Sequence, residues 1–211
     1  MTLPALRALL RQDLRDTDPT AYRWSDADLD RHLQHAARDL SLAVPREATV
    51  EFTTTPGSRT LSLASLPDLV RVEAVEYPVD RWPPSYVLFS LWGTTLTLLV
   101  DTPPAGAEPV RLYYGRLHTL TATTSTIPSY LEELVVMGAS GYAALEWASY
   151  ATNRVNPGGP ETWQHFLTWG KERLTLFQRS LDRLSARNRV RPRRLYTPAH
   201  TGAARTHILT G

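Results

Sequence analysis

Cysteine is absent from the 211 residues, which excludes disulfides, thiolate chemistry and Cys-type zinc sites. Lysine is nearly absent: Lys171 stands alone beside 22 arginines, and asparagine and glutamine together number seven. Few amides and many prolines suit a thermophilic source, and a GC-rich genome would skew the composition the same way. No run of about 18 uncharged apolar residues occurs, so a helical membrane span is not expected. The opening stretch MTLPALRALLRQDLRD is amphipathic and charged, which is not the pattern of a secretory signal.

What is present is ordinary in amount and uneven in distribution. An apolar content of 42% is that of a soluble globular protein. A chain of this length forms one large domain or two small ones and buries roughly 70% of its unfolded surface. The net charge of +2 hides an asymmetry. Seven arginines and no acid lie from Arg183 onward, so the first 182 residues carry 16 basic against 21 acidic residues, a net of −5. An acidic body with a basic terminal arm is an arrangement typical of interaction tails.

Hydrophobic spacing predicts a helix over 3–15, with Leu3, Leu6, Leu10 and Leu14 on one stripe. A second helix starts at Ser25, the expected N-cap, with Asp28 three residues on in the manner of a capping box. Leu29, Leu33, Ala36, Ala37 and Leu40 form its apolar face, and Pro45 stops it. From about Ala48 to Leu117 the period changes to two. TVEFTTT, RTLSL, VRVEAVEYP, SYVLFSLW, TTLTLLV and PVRLYYG read as strands, with turns at PGS (56–58) and WGTT (92–95). A third helix spans about 128–152, capped by Ser125 or Thr126, with Pro128 in its first turn and small residues at Gly138, Ala139, Gly141, Ala143, Ala144 and Ala148. A fourth covers roughly 161–186, where Trp163, Leu167, Gly170, Leu174, Phe177, Leu181 and Leu184 step by 4 and 3. That is the spacing of a packing seam, within one subunit or between two. The expected fold is α+β: a helical domain of about four helices (1–47 and 118–186), an inserted small antiparallel β-barrel or sandwich (48–117), and an extended basic C-terminal arm (188–211).

No catalytic constellation emerges. His32 and His35 lie one helical turn apart, but a zinc site needs three or four converging ligands. GASGY (138–142) lacks the spacing and the strand–turn–helix setting of a nucleophile elbow. WGKE (169–172) has the Gly-Lys pair of a phosphate loop without its earlier glycine or following Ser/Thr. NPGGP (156–160) is a turn. Glu132 and Glu133, adjacent on a helix, point to different sides and cannot flank one substrate. The reading is therefore no enzyme, no metal and no cofactor. Trp82, Trp92, Tyr113 and Tyr114 would suit a small ligand-binding β module, yet strand positions favour aromatics for packing alone.

The tail, RNRVRPRRLYTPAHTGAARTHILTG, carries six arginines and no acid. A solvated remnant, a nucleic-acid arm and a strap gripping a neighbour share this composition. Arginines gain affinity at phosphates through counterion release, so a DNA-binding accessory protein is the alternative function. Against it, Tyr196 is the tail's one aromatic, which leaves no stacking platform, and no helix-turn-helix, homeodomain or zinc-finger pattern occurs.

Three stretches in order carry a family resemblance: YRWSDADLDRHLQHAARDLSLAVP (22–45), LYYGRLHTLTATTSTIP (112–128), and ELVVMGASGYAALEWA followed by a long last helix. Over residues 3–186 the chain resembles the head-to-tail adaptor (connector) proteins of tailed bacteriophages, in the subset with a β-rich insertion. The resemblance implies a homo-oligomeric ring of twelve copies under the portal protein, in the neck of a virion assembled in the host cytoplasm. Such a ring would extend the DNA channel, touch passing DNA without sequence preference and dock the next neck or tail component, with no membrane involved. It also implies an arm that reaches the portal or an adjacent subunit. Arg187, Arg189, Arg191, Arg193, Arg194 and Arg205 suit bidentate pairs with acidic grooves, and Leu195, Tyr196, Ile208 and Leu209 are apolar anchors. A carboxylate-lined channel would let DNA slide; Asp26, Asp28, Asp30, Glu132 and Glu133 are the candidate lumen-facing acids, though a solvated helix face or dipole partner is the simpler reading of each.

Overall fold

The computed structural model describes residues 1–151 and 161–189. The chain divides into two compact units, Met1–Arg46 with Leu117–Asn188, and Glu47–Arg116.

In the first unit α1 (Leu3–Asp13) begins with a proline in its first turn, where a missing N–H costs nothing. Leu6, Leu10 and Leu14 are buried as their spacing requires. The helix stops two residues earlier than its periodicity suggests, and Arg15 turns the chain with a left-handed φ of 54°. Arg11 fixes the loop that follows. Its guanidinium donates to Asp16 Oδ2 at 2.6 Å and to the Trp24 carbonyl at 3.1 Å, and it stacks 3.6 Å from the Tyr22 ring. Asp16 in turn accepts the Arg23 N–H at 2.7 Å.

Helix α2 (Asp26–Ala43) starts on a complete capping box: Ser25 Oγ accepts the Asp28 N–H at 3.1 Å, and Asp28 Oδ2 accepts the Ser25 N–H at 3.3 Å. Satisfying two orphan donors at once is worth about 1 kcal/mol. Its buried face is Leu29, Leu33, Ala36, Ala37 and Leu40, joined by His32 and Ser41.

Helix α3 (Ser129–Ala151) is buried nearly all round, and its small residues explain why. A Cβ added at Gly138 would stand 2.8 Å from the Phe177 ring, and one at Gly141 would stand 2.7 Å from Leu174 Cγ. Helix α4 (Thr162–Arg189) therefore lies against α3 at a distance only glycine allows, and its 4-3 seam is used inside the subunit: Gly170, Phe177 and Leu181 are buried. The expected cap of α3 is not at Ser125 or Thr126. Ser125 Oγ accepts the Ile127 N–H at 3.2 Å and Thr126 Oγ1 the Thr119 N–H at 2.8 Å, so both hydroxyls fold the connector instead. His118 completes it, with Nδ1 2.9 Å from the Thr126 carbonyl and Nε2 3.0 Å from that of Val44.

The second unit holds two antiparallel sheets: β1 (Arg46–Thr53), β7 (Pro109–Arg116), β3 (Leu69–Glu76) and β4 (Tyr86–Val87) in one, β2 (Thr60–Ser62), β6 (Thr95–Leu98) and β5 (Phe89–Trp92) in the other. Leu61, Leu63, Val75, Leu96, Leu98, Val110, Leu112 and Tyr114, drawn from both, share one core. The α+β reading holds, and of its two β architectures the sandwich fits while a closed barrel does not. SYVLFSLW, read as one strand, is two: Val87 pairs with Val75 of one sheet and Phe89 with Leu98 of the other. Glycines make the turns, Gly57 at φ +71° and Gly93 at φ +55° in the β5–β6 hairpin.

Candidate functional site

The five acids proposed to face a channel differ in how free they are. Glu132 is buried and pairs with the amino group of Met1. Asp30 is half-buried, 3.1 Å from Arg7 Nε, and burial raises its pKa. Asp26 accepts from Arg11 at 2.7 Å and pairs with Arg7; the Arg11 hydrogen bond is the main cause holding its pKa below the usual carboxylate range. Asp28 is the capping residue, its pKa lowered chiefly by the Ser25 hydroxyl. Glu133 is exposed. Asp26, Asp30 and Glu132 thus serve contacts within the chain, and so does Asp28, which holds the capping box and lies 3.7 Å from Arg31 Nη2; Glu133 is the one of the five left exposed with no such contact among the described residues. Glu132 is the clearest correction, because a carboxylate sealed inside a helix packing cannot line a channel.

The arm begins later than its composition indicates. Helix α4 runs to Arg189, so Arg187 is an exposed helical residue and the Arg189 backbone is helical as well. Arg191, Arg193, Arg194, Leu195, Tyr196, Arg205, Ile208 and Leu209 lie outside the described residues.

Among the described residues no group of three or more His, Asp or Glu could hold a metal. His32 is buried with Nε2 2.5 Å from Glu146 Oε2, and burial lowers its pKa against the pull of that carboxylate. His35 is turned outward and stacks at 4.1 Å on Tyr142, whose hydroxyl donates to Asp39 at 2.5 Å. The pair lies on one helix and serves two separate contacts. The elbow-like Ser140 is buried inside α3, where it donates to the Met137 carbonyl at 2.8 Å. A cleft of about 880 Å³ beside the end of α1 is lined by Leu14, Phe166 and Trp169 together with Asp13, Arg23 and Glu172. His165 and Thr168 also line it, and its charges are of both signs.

Packing accounts for two of the four aromatics singled out in the β unit. Tyr114 is in the core, and Tyr113 donates to the buried Glu76 at 2.7 Å. It does not account for Trp82 and Trp92, which are 93% and 84% exposed. Sequence reasoning missed this because alternation tells which residues share a face and not whether anything covers it.

The SU10 adaptor protein family matches residues 1–202. Among solved structures, one similar chain comes from the neck of an empty GTA particle computed with C6 symmetry, at 16% identity, with 80% of this chain and 88% of that chain covered and a TM-score of 0.31. No curated protein matches the chain.

Proposed function

The chain belongs to the SU10 adaptor protein family, head-to-tail adaptors, and from that premise we propose that it acts as a ring under the portal of a tailed phage. There it extends the DNA channel and offers a docking surface to the next neck or tail component. Membership of a structural adaptor family implies a non-enzymatic role. The match over nearly the whole chain carries the reading, and the charge distribution supports it. An acidic body repels the DNA backbone and lets it slide, while a basic C-terminal segment suits acidic hollows on the portal or on the next copy. Twelve copies suit the ring, and the virion neck is its place.

Size-exclusion chromatography with light scattering, run with and without purified portal protein, tests this. The expected result is a complex holding many adaptor copies per portal ring. A chain that stays monomeric and elutes apart from the portal contradicts the proposal.

A further inference from the structure

The three-stranded sheet β2-β6-β5 leaves one face in water, and its composition differs from the rest of the surface. Side chains alternate across a strand. Leu61, Leu96 and Leu98 point into the core, so Thr60, Ser62, Thr95, Thr97 and Leu99 stand on the outer face. The register carries that face across to β5: Trp92 is opposite Thr95 and Thr95 opposite Ser62, while Ser90 is opposite Thr97 and Thr97 opposite Thr60. The Leu99 N–H donates to the Leu88 carbonyl at 2.9 Å, which sets those two residues side by side. The face holds hydroxyls toward β2 and large apolar groups toward β5, with Leu88 at 77%, Trp92 at 84% and Leu99 at 56% exposure. None of these side chains is charged, in a chain with 21% charged residues.

Among the described residues no further strand pairs with either edge of the sheet. β5 and β2 are its outermost strands among the described residues; β5 turns backbone groups of Phe89 and Leu91 outward, and β2 those of Thr60 and Ser62, of which the Thr60 N–H is taken by Ser58 Oγ at 3.2 Å. Proteins blunt such edges with short strands, charge, proline or a bulge; β5 reads FSLW, a short strand with no charge and no proline.

We propose that the β5 end of this sheet, with Leu88, Trp92 and Leu99, is the surface on which a second copy of this chain docks through its own β2 end. The proposal rests on the ring reading and adds the contact that builds the ring. Two unlike open edges on one sheet fit a head-to-tail contact, which uses each edge once and leaves none bare when the ring closes. A different protein seated on β5 would leave β2 uncovered in every copy. An uncharged face gives no attraction to DNA or to a strongly acidic or basic partner. Because β2 and β5 are both antiparallel to β6, they run in the same direction, so a head-to-tail repeat lays the next β2 parallel to β5.

Absence of native cysteine makes the contact directly readable. Within one chain Ser90 and Thr60 flank β6, two strand spacings apart at about 10 Å, beyond the roughly 7 Å that a disulfide spans. In the full-length chain, Ser90→Cys is combined with Thr60→Cys, and separately with Ser62→Cys to cover a shifted register. Each protein is assembled with purified portal protein and oxidised. A ladder of covalent adaptor multimers on non-reducing gels is expected from at least one double variant, and none from the single variants. A double variant L88S/W92S is expected to keep the parent melting temperature and lose assembly on the portal. If rings form yet neither pair cross-links and L88S/W92S still assembles, the docking inference is overturned and the ring reading stands. Covalent dimers from S90C alone would mean like edges meet, and would also overturn it. If no adaptor ring forms on the portal in any form of the protein, the ring reading falls and this inference with it.

Discussion

At the residue scale the helical unit depends on a few polar groups that tie distant turns together. Arg11 is buried and serves Asp16, Asp26 and the Trp24 carbonyl at once. Removing one member of a buried pair leaves the other charge uncompensated, so Arg11→Met is expected to cost about 3–5 kcal/mol in denaturant unfolding. A loss below about 1 kcal/mol would mean that Asp16 is satisfied without it. His32 gives a pH signature. Burial sets its folded pKa below the unfolded value of about 6.5, with Glu146, Arg31 and Asp28 as its charged neighbours. Below that unfolded value the unfolded chain binds more protons, so stability falls as pH drops through this window, at most by about 1.4 kcal/mol per pH unit. His32→Gln is expected to flatten the melting-temperature slope between about pH 7 and pH 5; an unchanged slope would place the titration elsewhere. The Ser25–Asp28 cap was legible in the sequence because its partners are three residues apart. The Arg11 network was not, since its partners are brought together by a loop that no periodicity describes.

At the scale of elements the helix pair α3–α4 rests on missing side chains. Gly138→Ala would press a methyl group to within 2.8 Å of the fully buried Phe177 ring. Overpacking of this kind costs about 1–3 kcal/mol, and thermal unfolding should show the drop, while Gly93→Ala, whose added Cβ meets nothing, would act only through its left-handed φ. Equal losses at the two glycines would argue against close packing as the cause at Gly138. The small residues of α3 and the 4-3 stepping of α4 were both visible in the sequence, because helix contacts repeat along the chain. The β unit was legible in its strand positions and less so in its pairing. Nothing in SYVLFSLW marks Leu88 as the point where the chain leaves one sheet for the other, since both halves have the same alternation and the partners, Val75 and Leu98, are remote in sequence.

For the whole molecule, charge and surface assign separate tasks to separate parts. The acids on the body are mostly engaged within it, exposed apolar groups occur on both units and include Leu88, Trp92 and Leu99 on one face of the three-stranded sheet, and the acid-free, arginine-rich part of the sequence lies toward the C-terminus. Since α4 continues to Arg189, the segment to remove is 190–211. Deleting it is expected to leave the melting temperature of the body within a degree or two and to abolish assembly on the portal. A large loss of monomer stability would mean that the segment packs on its own subunit. The most direct test of the adaptor assignment is an electron-microscopic reconstruction of purified portal protein mixed with the full-length chain. A ring of adaptor density on the tail-facing side of the portal, coaxial with its channel, is the predicted result; a portal seen bare at saturating adaptor concentration would contradict the account.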